Sequence, residues 1–336
     1  MSDPRLRSQA GFSLIELLIA TGVLLVITSI VTSGLLQMTQ SQRTISNRTD
    51  MHSAVRSATE LLQQEVGQAG RITVPTAITL AAKVDYGNAT ATLSSVEGLF
   101  RYELLTIEGT DPADIKMKPE TVQITNIDAG TKQITVKHVS SKGVLTDNFQ
   151  NNHPAGAAVS PGGGFGTGVV PPAPPVGTYA NGSTGSVLKL YGDINGDGKM
   201  VYVEYVCDTT KDFALYRNMM AWNDNPKKAL TPASILLTNI RANPPQTAGG
   251  PNLPCFQYQM DTFSKYVLDV AITLTVETQQ IDPITRQPQR ETKALLNVSP
   301  RNVIGAWQAA GMDGVNANRV QPMPENIKNN LLPDTP

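Results

Sequence analysis

The stretch from Phe12 to Leu36 constrains this chain more than any other part of its sequence. Its twenty-five residues contain one ionisable side chain, Glu16, and most of the others are Leu, Ile, Val, Ala, Thr and Ser. About 20 apolar residues are enough for a helix to cross the roughly 30 Å hydrocarbon layer of a bilayer. The sequence therefore predicts a transmembrane helix over residues 12–36, with one acidic residue near its start.

A short polar segment precedes this helix and carries Arg5 and Arg7 against Asp3. Basic flanks of a membrane helix stay on the cytoplasmic side, so we expect the residues after the helix to be exported. A secretory signal peptide would place a small-residue cleavage site after the apolar run. The residues 31–34, Val-Thr-Ser-Gly, do not supply a convincing one.

The start of the apolar run carries a specific resemblance. The segment Gly11-Phe12-Ser13-Leu14-Ile15-Glu16-Leu17-Leu18-Ile19-Ala20 resembles the processing and methylation signature of type IV prepilins and pseudopilins. The resemblance implies that residues 1–11 are a leader peptide, and that prepilin peptidase cuts between Gly11 and Phe12 and methylates Phe12. It also implies a single-pass inner-membrane precursor that contacts an assembly platform and then joins other pilin subunits, minor and major, in a periplasmic or extracellular pilus.

The resemblance implies that Glu16 is an assembly contact. A carboxylate within a membrane helix costs at least about 2.5 to 3.5 kcal/mol. Pairing with the amino terminus of a neighbouring subunit would offset much of that cost, because opposite charges attract strongly in a low-dielectric site. The alternative is an acid tolerated near a helix end, with its side chain reaching the interface.

An amphipathic helix is expected to continue over residues 37–71. Apolar residues recur there at mostly three-, four- or seven-residue steps, the pattern of one buried helix face. These residues are Met38, Ile45, Met51, Val55, Ala58, Leu62, Val66 and Ala69. Gly67, Gly70 and Pro75 provide the stop signals.

The exported domain is predicted to span residues 72–311 and to consist mainly of strands. Its segments are rich in Val, Ile, Thr and Tyr and are bounded by Gly, Asp or Asn. The predicted strands are 98–108, 121–127, 133–138, 187–191, 200–206, 234–240 and 266–278. Residues 128–131, Asp-Ala-Gly-Thr, predict a hairpin turn between two of them. One long helix packed on a mainly antiparallel sheet gives an α+β fold.

Two segments of this region lack that pattern. The Gly/Pro-rich insertion 148–186 includes 13 Gly or Pro among the 24 residues 154–177, and it carries no Asp, Glu, Lys or Arg. Such composition predicts a long flexible insertion. The stretch 312–336, which contains Pro322, Pro324, Pro333 and Pro336, is expected to be a flexible C-terminal tail.

Size favours a minor pilin, because subunits present in thousands of copies are usually compact. Residues 32–34, Thr-Ser-Gly, stand where many major pilins have a kinking proline. The run from Leu61 to Gly70 resembles the helix end of PilW-type minor pilins, which implies a structural role in pilus assembly initiation or in a tip complex, and thus in twitching motility. The alternatives are a type II secretion pseudopilin, or an adhesin or DNA-uptake minor pilin.

Cys207 and Cys255 are the two cysteines of the chain, and both lie in the exported domain. In an oxidising compartment they are expected to form a disulfide, with two free buried thiols as the alternative.

The run Asp193-Ile194-Asn195-Gly196-Asp197-Gly198-Lys199 followed by Glu204 has the spacing of a calcium loop. The predicted Ca²⁺ ligands are the side chains of Asp193, Asn195 and Asp197, the backbone carbonyl of Lys199 and the carboxylate of Glu204. The flanking segments are strand-like, and a strand could turn Glu204 away from the ion. The alternative is a hairpin turn, which uses the same residue types.

No enzyme is predicted. The three histidines, His52, His138 and His153, have no acid partner nearby in the sequence, and neither an H-E-x-x-H nor a G-x-S-x-G motif is present. The net charge of −1, from 27 basic and 28 acidic residues, gives no reason to expect nucleic acid as a partner.

Overall fold

The computed structural model describes residues 11–109, 118–311 and 319–333 of the chain. Helix α1 spans Leu14–Gln68 and confirms the long helix that the periodicity predicts. Its length is about 83 Å at 1.5 Å per residue. It ends at Gly70, whose φ of +84° is the left-handed conformation that commonly terminates helices. Residues 1–10, which form all but the last residue of the expected leader, lie outside the described residues.

Two compact units make up the chain. The first consists of Met1–His52 with Thr278–Gln289, and the second consists of Ser53–Glu277 with Arg290–Pro336. Helix α1 runs through both, because its residues 14–52 belong to the first unit and 53–68 to the second.

The described residues of the second unit form three antiparallel sheets together with helical segments. The first sheet contains β1 Ile78–Thr79, β2 Thr90–Thr92, β3 Leu104–Ile107, β4 Glu120–Asp128, β5 Gln133–Val139, β6 Leu145–Asp147 and β7 Ala158–Pro161. Its strand order is β1-β7-β3-β4-β5-β2, and β6 also pairs with β5. The turn between β4 and β5 is the predicted hairpin, in which the Asp128 carboxylate accepts a 2.9 Å hydrogen bond from the Gly130 N–H.

The second sheet lies in the order β11-β10-β9-β8. Its strands are β8 Val187–Gly192, β9 Val201–Asp208, β10 Ala214–Ala221 and β11 Ile235–Thr238. In the third sheet β14 is central and pairs with all three others. Its strands are β12 Ile240–Arg241, β13 Phe256–Met260, β14 Val267–Glu277 and β15 Arg290–Val298. The α+β class is therefore confirmed.

Several predicted strands differ in their bounds. The expected strand 98–108 is shortened to β3, and the expected strand 234–240 is split into β11 and β12 at Asn239, which has a φ of +59°. Helix α2, Arg301–Ala309, was not among the predicted elements, and its Val303 and Ala306 are buried three residues apart.

The second half of α1 buries the predicted apolar face. The buried residues are Met51, Val55, Ala58, Leu62, Val66 and Ala69, whereas Met38 and Ile45 of the same pattern are more than half exposed. The periodicity therefore identifies the buried face correctly from residue 51 onward.

The Gly/Pro-rich insertion differs from its expectation as a flexible loop. Phe165 and Val170 are fully buried in a cluster with Tyr191, and Phe165 N–H donates a 2.8 Å hydrogen bond to the Gly70 carbonyl. Gly168 crosses the helix end so closely that a Cβ at position 168 would lie 2.1 Å from the Gly70 Cα. The glycines of this segment permit close backbone packing, which composition alone does not distinguish from disorder.

The expected C-terminal tail also differs in its described part. Residues 319–333 include a π-helical turn, Ile327–Leu331, and the side chains of Ile327, Leu331 and Leu332 join the same cluster as Tyr191. These apolar residues bury surface that a free tail would leave in water, which favours their attachment to the domain. Residues 312–318 and 334–336 of the expected tail lie outside the described residues.

Candidate functional site: the N-terminal helix and its attachment

The segment around the expected processing site is exposed and has no regular secondary structure. Gly11, Phe12 and Ser13 precede the helix, and Phe12 is 83% exposed. The Ser13 carbonyl accepts the first helical hydrogen bonds, from the N–H groups of Glu16 and Leu17 at 3.0 and 3.1 Å. The peptide bond between Gly11 and Phe12 therefore lies outside the hydrogen-bonded helix, in a conformation that a peptidase can approach.

Glu16 lies in the first turn of α1 and is exposed. Around it the helix presents large apolar side chains on every face, and those of Leu14, Ile15, Leu17, Leu18, Leu25 and Ile30 are each at least 61% exposed. The helix contains an 18-residue window with a mean hydropathy of 2.5 that is nowhere buried within the protein. By length and composition this helix is able to cross a membrane.

The other end of α1 is attached to the second sheet through Glu65, which is 4% exposed. Arg217 of β10 donates two hydrogen bonds to Glu65 Oε1, from Nε at 3.0 Å and from a terminal guanidinium nitrogen. The Tyr205 hydroxyl of β9 donates to Oε2 at 2.5 Å. Burial and the neighbouring Glu65 carboxylate raise the pKa of Tyr205, so its hydroxyl keeps the proton it donates.

Sequence reasoning did not identify this attachment, because Glu65 lies in a run that indicates only a helix. Its partners are 140 and 152 residues away along the chain. The one sequence feature that could have indicated burial of Glu65 is its position directly before Val66, which lies on the buried apolar face of α1.

The predicted disulfide between Cys207 and Cys255 is present. It joins β9 of the second sheet to the residue before β13 of the third sheet across 48 residues of sequence. On the chain-entropy model, closing a loop of this size stabilises the folded state by about 4 kcal/mol.

The turn between β8 and β9 holds the predicted calcium ligands, and their side chains make contacts within the protein. Asp193 is fully buried; its Oδ1 accepts a 3.1 Å hydrogen bond from the Asp197 N–H, and its Oδ2 lies 3.6 Å from the Arg71 Nε. The Asp197 carboxylate accepts the N–H of Lys199 at 3.0 Å. A guanidinium group therefore lies beside the carboxylate that would be the first calcium ligand.

Glu204, the predicted twelfth-position ligand, is engaged elsewhere. It is fully buried on β9, where its Oε1 lies 2.6 Å from the Lys227 Nζ and 3.7 Å from the Lys189 Nζ. The same two ammonium groups donate to the backbone carbonyls of Pro333 and Leu332, at 2.9 and 2.8 Å. This buried cluster attaches the C-terminal segment to the sheet. The side chain of the remaining predicted ligand, Asn195, donates to the Met219 sulfur at 3.7 Å.

Two histidines have an acid partner that the local sequence did not reveal. The buried Glu120 carboxylate lies 2.8 Å from His138 Nδ1 and 3.1 Å from His153 Nε2. Burial alone would raise the pKa of Glu120, but its hydrogen bonds with His153, the Gln150 N–H and His138 outweigh burial and lower it.

No group of three or more His, Cys, Asp or Glu side chains that could hold a metal ion occurs within residues 11–109, 118–311 and 319–333. The hydrogen bonds of Glu120 link β4 to His138 of β5 and to His153.

Comparison with known proteins finds a match at the N-terminus of the chain. The family model described as the prokaryotic N-terminal methylation motif matches residues 6–32. Neither the curated proteins nor the solved structures contain a significant match to the chain. Proteins with this motif are structural subunits that assemble with other pilin subunits and are processed by prepilin peptidase. The motif and the apolar helix behind it support a type IV pilin-like or pseudopilin subunit.

Proposed function

We propose that the chain is a minor type IV pilin of the PilW type, a low-copy structural subunit that takes part in starting or capping a pilus. The precursor spans the inner membrane once, with its N-terminus in the cytoplasm, and prepilin peptidase removes residues 1–11 and methylates Phe12. The mature subunit then enters the filament through α1. The observation that carries this proposal is an apolar helix surface, unburied within the protein, with Glu16 as the fifth residue of the mature chain.

The role of Glu16 follows from its surroundings. Its carboxylate lies among exposed apolar side chains that enter lipid or a filament core, where an unpaired charge is costly. The amino group of Phe12 carries the opposite charge once the leader is removed. Because Phe12 lies only four residues before Glu16, an adjacent subunit shifted along the helix axis can bring its Phe12 amino group to this Glu16.

The test compares three variants of the full-length precursor expressed in its host. Gly11→Ala is expected to accumulate unprocessed precursor. Glu16→Ala is expected to be processed and methylated normally, as read by mass spectrometry, yet to be depleted from sheared filaments. A contact worth about 1.4 kcal/mol or more lowers incorporation at least about tenfold.

Glu60→Ala provides the matched control, because Glu60 is an exposed acid on the same helix outside the motif. It is expected to enter filaments as the wild type does. Incorporation of Glu16→Ala at the level of Glu60→Ala would contradict the pairing role. Deletion of the gene provides a second test, since loss of surface pili supports the pilin, whereas loss of exoprotein release with pili intact would identify a secretion pseudopilin instead.

A further inference from the structure

The loop that joins β14 to β15 belongs to the same unit as the first part of α1 and is bonded to it. The Asp282 carboxylate accepts a hydrogen bond from the Gln289 side-chain amide, and Thr44 of the helix is among the polar groups that lower the pKa of Asp282. Gln289 in turn accepts a 2.5 Å hydrogen bond from Arg48 Nε. Arg48 of the helix therefore bonds the loop directly at Gln289, and Thr44 lies one turn before Arg48.

Asp282 also makes the loop rigid. Its Oδ1 accepts the N–H groups of Ile284 and Thr285 at 2.7 and 3.0 Å, and its backbone N–H donates to the Gln287 carbonyl at 3.1 Å. The aspartate itself is 2% exposed. The flanking Ile281 and Ile284 are 65% and 62% exposed. The loop thus buries its acid and displays two large apolar side chains on a fixed backbone.

The loop lies beside α1 at the level where a membrane-spanning helix would leave the bilayer. From Phe12 to Gln42 the chain contains 31 residues and one ionisable group, Glu16. As a helix these residues rise about 46 Å, close to the 40–45 Å of a bilayer with its headgroup layers. Arg43 is the first charged residue after this span, and Arg48, which bonds to the loop, follows it by five residues.

The charges at this level are complementary to anionic headgroups. Arg43, Arg48 and Arg286 are exposed, whereas the acid of the loop, Asp282, is buried. Asp50 is exposed but lies about 10 Å further along the helix from Arg43. Exposed isoleucines beside arginines are the composition of segments that lie in the interface between water and lipid.

We propose that the 278–289 loop is a membrane-surface contact, in which Ile281 and Ile284 enter the headgroup layer of an anionic phospholipid bilayer while Arg43, Arg48 and Arg286 contact its phosphates. This inference rests on the proposed function, because it requires α1 to span the membrane. The contact would fix the rotation and tilt of the subunit before assembly, and it would have to be released when the subunit leaves the bilayer.

The test uses the full chain reconstituted at low density into vesicles of phosphatidylcholine, with and without phosphatidylglycerol. Both native cysteines are in the disulfide, so Ile284→Cys provides the one free thiol for an environment-sensitive fluorophore. We expect its emission to shift to the blue and to be quenched by lipids that carry a nitroxide near the headgroup, more strongly in the anionic vesicles. Salt at about 1 M should reduce the quenching, because the screening length falls to about 3 Å.

Matched variants identify the cause. A label at Val144→Cys, an exposed apolar position of the other unit, should stay unquenched. Arg286→Gln should weaken the quenching at position 284, whereas Lys142→Gln, another exposed basic residue, should leave it unchanged.

Three results would overturn the proposal. A label at position 284 that stays in water in both vesicle types refutes the lipid contact. Quenching that appears only at high protein density assigns the surface to a neighbouring subunit instead. A label at Ile27→Cys reports the helix separately: if lipids with a deep nitroxide do not quench it, the membrane span itself fails, and with it the proposed function.

Discussion

Replacing Glu65 by alanine tests how α1 is held on the second sheet. The substitution leaves the guanidinium of Arg217, which is about one-fifth exposed, and the buried hydroxyl of Tyr205 without their shared acceptor. Removing one member of a buried ion pair typically costs about 3–5 kcal/mol, because the other charge stays desolvated and unpaired. We therefore expect Glu65→Ala to lower the free energy of unfolding of the second unit by about that amount.

The assay is urea unfolding of the full chain in detergent, followed by tryptophan fluorescence. For a slope of about 3 kcal/mol per M in urea, the loss corresponds to a midpoint lowered by about 1 M or more. Glu60→Ala is the matched control, because Glu60 lies on the same helix and pairs with Arg56 at 2.7 Å while more than half of its side chain is exposed. Its midpoint should stay close to that of the wild type.

A double-mutant cycle separates the pair from its surroundings. Once Glu65 is absent, Arg217→Ala should cost much less than it does in the wild type, because the two residues contribute one shared interaction. A midpoint for Glu65→Ala equal to that of Glu60→Ala would refute the reasoning, as would fully additive losses in the double variant.

Two further predictions concern other charged groups of the second unit. Burial raises the pKa of Glu103 from 4.5 to about 8, so between these pH values the folded state holds a proton that the unfolded state has released. The free energy of unfolding should therefore fall as the pH rises from 4.5 to about 8. Glu103→Gln should reduce this pH dependence, as measured by urea unfolding at several pH values. A steep slope that persists in Glu103→Gln would assign it to another group. Because Arg71 lies beside Asp193 and Glu204 is bonded to Lys227, millimolar calcium is expected to leave the thermal midpoint of the full chain unchanged. A calcium-dependent rise would support the calcium site that the sequence predicts.

The parts of the fold that sequence analysis predicted are those that local periodicity encodes. Val55, Leu62 and Val66 repeat at helical spacing and are buried as expected. Strands β4, β5 and β8 alternate or run apolar between turn residues, and their bounds lie within a few residues of the prediction. The N-terminal motif was readable for the same reason, because its Gly, Phe and Glu lie within six consecutive residues.

The parts that were not predicted depend on contacts between distant residues. Phe165 is buried because the Gly/Pro-rich segment passes over the end of α1 at Gly70, and no local period reports that crossing. The aspartates of the 193–199 turn match a calcium pattern, which depends on local spacing alone. The guanidinium of Arg71, more than a hundred residues earlier in the chain, lies beside Asp193, and local spacing does not report this contact. A local motif shows which side chains could bind a ligand, and only the tertiary structure shows which of them already make other contacts.

The C-terminal turn Ile327–Leu331 has a consequence for how the domain is made. It completes a cluster whose other members include Tyr191, Tyr202 and Met220, so the packing of this cluster is complete only after residue 332 has been synthesised. At 5–20 residues per second, the interval between Met220 and Leu332 lasts about 6–22 s. During this time the cluster lacks the apolar side chains of Ile327, Leu331 and Leu332. We therefore expect the domain to reach its final packing only after its last turn is in place.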